Sequence, residues 1–170
     1  MIEGNHLLYT IKAMNYIIIK GGREAGKAHT INEVCRRLKP EQICKVHIKV
    51  DGKAHLEKVF SSTDLMEGTY IITVRKKNIL IVSAAPTQQR VSITTILQSV
   101  MNINMKPEFA IVAMRGLEKL KDFSTSKELE KFGKCIYETK IWRIPSHKFS
   151  LTEEWNRRVS YLTAITLHNI

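Results

Sequence analysis

The first half of the chain has the hydrophobic pattern of a β-sheet. Apolar and polar residues alternate along residues 43–50, and this period of two is typical of a half-buried strand. The Asp51-Gly52 pair that follows favours a tight turn. Because a tight turn reverses the chain, residues 53–60 are predicted to pair with the first strand as a β-hairpin.

A second hairpin and two further strands are predicted on similar grounds. Residues 7–20 are rich in isoleucine and tyrosine and stop at two consecutive glycines, as strands do before a turn. Residues 69–74 and 79–83 are apolar arms on either side of a basic tip at residues 75–78. Residues 109–114 form a nearly continuous apolar run, which favours a buried strand.

Helices are predicted from capping boxes and from apolar residues at helical spacing. In a capping box, a Ser or Thr side chain accepts a bond from the backbone three residues on, and a Glu there reaches back. The pairs that fit are Thr30 with Glu33, Thr125 with Glu128 and Ser150 with Glu153. They predict a short helix after residue 30 and helices at residues 126–134 and 151–166, and the apolar spacing adds one over residues 91–101.

The order of these elements predicts an α+β fold. Strands dominate the first half and helices the second, which is typical of an antiparallel β-sheet with hairpins, packed on one face by a small helical bundle. At 170 residues the chain is long enough to bury one substantial core, and no repeat or linker interrupts it. A single domain over residues 1–170 is therefore predicted.

Charge changes this picture more than composition does. The chain has 27 Lys and Arg against 16 Asp and Glu, a net charge of +11. Such a charge raises the local concentration of RNA, phosphates or an acidic protein face, although it could equally serve solubility or subunit docking. No apolar run approaches the ~20 residues of a membrane helix, and no secretory signal is present. An intracellular domain, monomeric in isolation and without a membrane partner, is expected.

Cysteine spacing and catalytic motifs give no sign of an enzyme. Cys35, Cys44 and Cys135 form no C-x-x-C pair, so neither a disulfide framework nor a zinc site is predicted. No G-x-S-x-G or H-E-x-x-H motif occurs. We therefore expect no catalytic residue, metal or cofactor, and a binding or structural role.

Residues 21–27, called the glycine loop below, come closest to a catalytic motif. From Gly21 to Lys27 they match the G-x-x-x-x-G-K of a phosphate-binding loop, but Ala28 follows where that motif has a magnesium-binding hydroxyl. The capping box at Thr30 would also start the helix three residues too late for its amides to face a phosphate. An ordinary glycine-rich loop is the preferred interpretation, and a nucleotide-binding loop is the alternative.

Basic side chains form two groups that could bind phosphates or RNA. These are Lys45, His47 and Lys49 on one face of their strand, and Arg75, Lys76 and Lys77 at the tip of the second hairpin. If both groups face the same side, they would make one patch. The other interpretation is a solvated strand face and a charged edge that resists aggregation.

The order and spacing of segments between residues 43 and 116 are similar to those of a known viral domain. The segments are the strand at 45–49, the Gly52 turn, the basic hairpin at 71–77, the strand at 80–83 and Ala113-Met114-Arg115-Gly116. In this order the chain resembles the cap-binding domain of the orthomyxovirus polymerase basic protein 2, most of all that of a thogotovirus.

The resemblance implies a function in cap snatching. In that family the domain holds the methylated guanine cap of a host transcript between two aromatic rings, with a carboxylate on the base edge and lysines on the triphosphate. It implies a domain of a heterotrimeric RNA polymerase in the host nucleus, with other viral polymerase subunits and capped RNA as partners.

The family's cap-reading positions are filled here by other residue types. They fall at Lys49 or Val50, at Ala54, and around Asn102 and Asn104, none of which supplies a ring or a carboxylate. The resemblance therefore implies a retained fold with weak or lost cap binding.

A rebuilt cap pocket is the alternative within the same family. Tyr9, Phe60 and Tyr70 are candidate replacement rings, and Glu57 is the candidate acid. This alternative requires these side chains to share one face of the structure.

Overall fold

A computed structural model describes residues 14–170 and shows one mixed β-sheet with helices on both faces. Its strands are β1 Met14–Lys20, β2 Gln42–Ile48, β3 Ala54–Val59, β4 Thr69–Val74, β5 Lys77–Val82, β6 Phe109–Met114 and β7 Gly133–Lys140. Its α-helices are α1 Lys27–Arg37, α2 Pro86–Gln89, α3 Ile93–Asn102, α4 Thr125–Leu129 and α5 Glu153–His168, with 3-10 turns at Ser62–Asp64 and Phe149–Leu151. The predicted strand at 7–20 corresponds to β1, and its first seven residues lie outside the described part.

The sheet has two halves that differ in strand direction. Its order is β3-β2-β4-β5-β6-β1-β7. Strands β3, β2 and β4 pair antiparallel and form the antiparallel half, which joins β5 through the second hairpin. Strands β5, β6, β1 and β7 run parallel and form the parallel half. The carboxyl ends of these four strands therefore meet at one edge of the sheet.

Both predicted hairpins are confirmed. Strands β2 and β3 are joined through Gly52, whose φ of 81° lies in the left-handed region that favours glycine. Strands β4 and β5 are joined by Arg75 and Lys76, with φ values of 51° and 64°, as in a two-residue type I′ turn. This turn is shorter than the predicted tip because β5 already begins at Lys77.

The α+β class is also confirmed, but the sheet is mixed rather than wholly antiparallel. The buried strand predicted at 109–114 is β6, and it lies between β5 and β1 in parallel register. Local patterns identify strands without identifying their partners, and the parallel pairs join segments that are far apart in the chain. Strand β7 replaces the end of a helix predicted to reach residue 134, because α4 ends at Leu129.

The first predicted helix start is wrong. Helix α1 begins at Lys27, directly after Gly26, and Thr30 lies inside it with its amide bonded to the Gly26 carbonyl. The Thr30 hydroxyl is fully buried and has no hydrogen-bond partner among the described residues. Glu33 contacts Arg36 at 3.1 Å instead of reaching back to Thr30. Gly26 starts the helix earlier because its φ of 89° lets the chain leave the loop there.

The last helix also has a different cap from the predicted one. Helix α5 begins at Glu153, and its cap is Thr152, whose Oγ1 accepts a bond from the Trp155 amide at 3.2 Å. Ser150 lies in the preceding 3-10 turn. The predicted cap was therefore two residues early, because Thr152 competes for the same role. At α4 the predicted cap is one residue late, because Thr125 is already the first residue of the helix, and Glu128 reaches back to the Ser124 amide at 2.9 Å rather than to Thr125.

Two apolar clusters cover the two faces of the sheet, and each includes helices. The prediction that the helices pack on one face is therefore wrong. In β1, Ile17 and Ile19 face the cluster formed with α1 and α5, whereas Tyr16 and Ile18 face the cluster formed with α3 and α4. The crossovers of the parallel half pass over one face, and α1 passes over the other, which explains the two layers. None of the helices within residues 14–170 has the length and apolarity needed to cross a membrane.

Candidate phosphate-binding site

The candidate site lies at the carboxyl edge of the parallel half, where β1 leads through the glycine loop into α1. Helix α1 packs on one face of the sheet, whereas the connection from β6 to β7 passes over the other face through α4. Adjacent strands whose connections leave in opposite directions open a crevice at their carboxyl ends, and ligands of parallel sheets bind there. The glycine loop borders this crevice.

Two glycines determine the path of the loop. The Gly21 amide donates to the Met114 carbonyl at 3.1 Å, which joins the loop to the end of β6. A Cβ on Gly21 would lie 2.7 Å from the Ala25 side chain and 3.1 Å from the Ile141 carbonyl oxygen, so a larger residue would not fit. Gly26 turns the chain directly into α1, and the first N–H groups of a helix have no partner within it. The three-residue gap expected from the sequence is therefore absent.

Lys27 is the central side chain of the site. It is only 7% exposed, and its Nζ donates to the carbonyl oxygens of Gly21 at 2.8 Å and Gly22 at 2.6 Å. Burial lowers the pKa of Lys27, the nearby charge of Arg115 lowers it further, and Glu67 opposes both. An ammonium group is thus held within the glycine loop beside a second cation.

The charges around the loop favour an anion. Arg115 follows directly after β6, and Lys27 is the first residue of α1. Among residues 14–170, neither cation lies within ion-pair distance of a carboxylate. Lys27 is buried at the amino terminus of α1, where the helix dipole already favours negative charge, and the charge of Arg115 opposes its ammonium group more than Glu67 supports it, so a bound anion would be stabilised there.

The same site offers few oxygen ligands for magnesium. Ala28 has no hydroxyl, and β6 is followed by Arg115 where an acidic residue would be required. The Ser83 hydroxyl, which follows β5, is bonded to the amide of Gly68 at 3.0 Å. In the described part of the chain, no group of three His, Cys, Asp or Glu residues could hold a metal ion. The side chains at this site are better suited to binding a phosphate group than to binding the magnesium ion that metal-dependent cleavage needs.

A cavity of about 290 Å³ adjoins the loop. Its walls come from the loop itself, from the first turn of α1, from residues 143–149 and from α5. The lining residues include Glu24, Gly26, His29, Phe149, Trp155 and Arg158. Sequence reasoning missed this cavity because its walls come from segments more than a hundred residues apart.

The two predicted basic groups are placed apart from this site and largely apart from each other. Lys49 follows the carboxyl end of β2. The turn that carries Arg75, Lys76 and Lys77 lies at the opposite ends of these strands, where β5 begins. Arg75 donates to the Leu167 carbonyl at 3.2 Å. The tip therefore lies beside the end of α5.

Lys45 and His47 lie on β2, across from the edge strand β3. His47 Nε2 is 2.6 Å from Glu57 Oε2, and the rings of His47 and His55 are stacked with centroids 5.7 Å apart. The hydrogen bond and charge of His47 lower the pKa of Glu57. Glu57 is thus paired with a neighbouring strand residue.

The family's cap-reading positions lie around the β2–β3 turn and the end of α3. Lys49 and Val50 are in the turn, Ala54 begins β3, and Asn102 ends α3 with Asn104 two residues beyond. Helix α3 contacts this hairpin, since the Ser99 hydroxyl donates to the Gly52 carbonyl at 2.6 Å. The ring pairs found among the described residues involve none of these positions.

The proposed replacement rings are in different environments. Phe60 is 88% exposed after β3, with the Lys58 ammonium 5.5 Å from its ring centre. Tyr70 is only 1% exposed, and its hydroxyl accepts a bond from the Met66 amide at 3.0 Å. Tyr9 lies outside the described residues. Of the two described rings, only Phe60 presents its ring to solvent.

Comparison with known proteins found no matching family, curated protein or solved structure. The cap-binding resemblance therefore stays a prediction, and the functional proposal rests on the geometry of the chain itself.

Proposed function

We propose that this protein binds the phosphate groups of a nucleotide in the glycine loop. The observation that carries the proposal is the position of Lys27, buried at the start of α1 with its ammonium group bonded to two carbonyls of the loop. The two carbonyl oxygens accept hydrogen bonds from the Lys27 ammonium group but do not neutralise its positive charge. A phosphate would supply the missing negative charge.

The loop provides the other groups that a phosphate requires. Helix amino termini bind phosphates because their free N–H groups and the helix dipole both favour negative charge. The strand, glycine loop and helix follow one another here without a gap, which is the structural context that a G-x-x-x-x-G-K motif needs. Arg115 adds a second cation from the neighbouring strand.

We propose binding without rapid hydrolysis. Magnesium-dependent cleavage in loops of this kind uses a hydroxyl directly after the lysine and an acidic residue on a nearby strand. Ala28 and Arg115 take those places. The ligand class is therefore a nucleoside di- or triphosphate that is retained rather than turned over.

The first test is a calorimetric titration of the protein with ATP and GTP, using Lys27→Ala and the exposed hairpin variant Lys49→Ala as a matched loss of charge. Lys27→Ala should weaken binding roughly tenfold or more, because a hydrogen bond to a charged group contributes ~1.5–3 kcal/mol. Lys49→Ala should bind like the natural sequence. Circular dichroism confirms that both variants are folded.

Equal affinities of the two variants would contradict the proposal, and so would the absence of binding by the natural sequence. A methylated-guanosine cap analogue belongs in the same titration. A marked preference for the methylated base that persists in Lys27→Ala would instead support the cap-binding prediction, along with its RNA and polymerase partners. That prediction makes Phe60 and the β2–β3 turn the next residues to change.

A further inference from the structure

We infer that the cavity beside the glycine loop binds the base and sugar of the same nucleotide, with Arg158 at the junction between cavity and loop. This inference rests on the proposed function and assigns the second half of the ligand. It makes the site a composite of the loop, α1, residues 143–149 and α5.

The cavity adjoins the glycine loop at Gly26, the residue directly before Lys27. Glu24 and Gly26 of the glycine loop line it, and so does His29 in the first turn of α1. The inference requires a ligand bound at the loop to extend past Gly26 into this cavity. Its volume of about 290 Å³ is just below the ~300–1,000 Å³ range of small-molecule sites, so the ligand must be as small as a single nucleoside.

One wall of the cavity is aromatic. The ring centre of Phe149 lies 5.5 Å from that of His29 and 5.0 Å from that of Trp155. Trp155 is 5% exposed and packs in the core, so it holds Phe149 in place from behind. Flat, partly exposed rings next to a phosphate site are the surfaces on which nucleic-acid bases stack.

Arg158 supplies a cation at the junction with the loop. Its Nη2 donates to the Trp142 carbonyl at 2.9 Å, and its Nη1 would be 3.8 Å from a Cβ built on Gly26. Burial lowers the pKa of Arg158, and no carboxylate in the described part lies within ion-pair distance of it. A guanidinium has five N–H donors, so several remain for a phosphate or a sugar hydroxyl.

Among the described residues, the one carboxylate in the cavity wall does not cancel this charge. Glu24 is exposed and lies 3.8 Å from Arg143, which also lines the cavity. Within residues 14–170, the wall thus carries two arginines against one glutamate. An anionic ligand with a flat ring satisfies both the charge and the aromatic wall, whereas an inorganic phosphate satisfies only the charge.

The test compares inorganic triphosphate with ATP and GTP by calorimetry. In the natural sequence, at least one nucleotide should bind about fivefold tighter or more than triphosphate, since a base that stacks adds affinity. Phe149→Leu should remove this preference and leave triphosphate binding unchanged. Phe60→Leu, which alters an exposed ring elsewhere, should leave both affinities unchanged. Arg158→Gln should weaken nucleotide binding about fivefold.

Three outcomes would overturn the inference in distinguishable ways. Equal binding of triphosphate and nucleotides that is lost in Lys27→Ala would refute the cavity and leave the proposed function standing. No binding of any of them would refute both. A nucleotide preference that survives Phe149→Leu and Arg158→Gln would place the base elsewhere. Photolabelling of the natural sequence with an azido-purine nucleotide provides a check without variants, and modified peptides should come from residues 143–158.

Discussion

The two halves of the sheet differ in burial and in the site that each one carries. Every residue of β6, in the parallel half, is buried, whereas no residue of β3, at the edge of the antiparallel half, is buried. The predicted basic and cap-reading residues lie mostly on the antiparallel half. The glycine loop, Arg115 and the cavity lie at the parallel half. Local sequence patterns thus predicted functional residues on the exposed hairpins. The candidate site is formed instead by segments that are far apart in the sequence.

The difference has a simple physical cause. Strand β6 lies between two other strands and has helices on both faces, so each of its side chains contacts other protein atoms. Among the described strands, β3 has a neighbour on one side only. We therefore expect the parallel half to dominate the free energy of unfolding and to fix the position of the loop.

The largest effect should follow from a change in the centre of the parallel half. Ile111 in β6 is fully buried, so Ile111→Ala should lower the free energy of unfolding by roughly 2–5 kcal/mol through lost burial and a cavity. Leu56 in β3 is only partly buried, and Leu56→Ala should cost roughly 1 kcal/mol. Urea unfolding measures both. Equal losses would break the contrast between the halves.

An intermediate effect is expected where β7 meets β1. A Cβ on Gly133 would overlap the Met14 carbonyl oxygen, and a backbone atom cannot rotate away as a side chain can. Gly133→Ala should therefore cost ~1–3 kcal/mol. A Cβ on Gly22 would have no atom of the other described residues within 4 Å, which makes Gly22→Ala the control. Matching thermal unfolding curves for the two variants would contradict the described β1–β7 pairing.

The smallest effect concerns the antiparallel edge. His47, mainly through its hydrogen bond, lowers the pKa of Glu57. A carboxyl whose pKa is lower in the folded state stabilises the fold above its unfolded pKa, and this contribution disappears as the pH falls through the folded pKa. Both side chains are exposed, so the stability change should be minor. NMR titration should show the Glu57 pKa rising towards its ordinary value in His47→Gln, and an unchanged pKa would show that the pair does not form in solution.

The hairpins were predictable because each depends on neighbouring residues. The alternation around Val46 and the turn at Gly52 are complete within a few positions of each other. Strand β7 escaped prediction because it is an exposed edge strand, and because its register with β1 shifts between Tyr16 and Ile17. The shift interrupts the alternation by which strands are recognised.

The candidate site was only half visible in the sequence. The G-x-x-x-x-G-K match was present, but the capping pattern of Thr30 and Glu33 placed the helix too late. The left-handed conformation of Gly26 starts the helix at Lys27. The sequence alone does not reveal which of two possible start positions a helix adopts. Arg158 and Phe149 belong to no recognisable sequence motif. They reach the cavity only because α5 and the 3-10 turn before it pack beside α1.

The position of β1 between β6 and β7 also has a consequence for the order in which the molecule assembles. Asn15 is in register with Phe109 and with Lys134. The two partner strands of β1 are therefore synthesised long after β1 itself. Pairings between such distant segments slow folding, since a long loop must close before any contact forms. Until then the isoleucines of β1 are unpaired, and an incomplete chain exposes them to aggregation. We therefore expect the glycine loop, which follows β1 in sequence, to be among the last parts of the molecule to take its final shape.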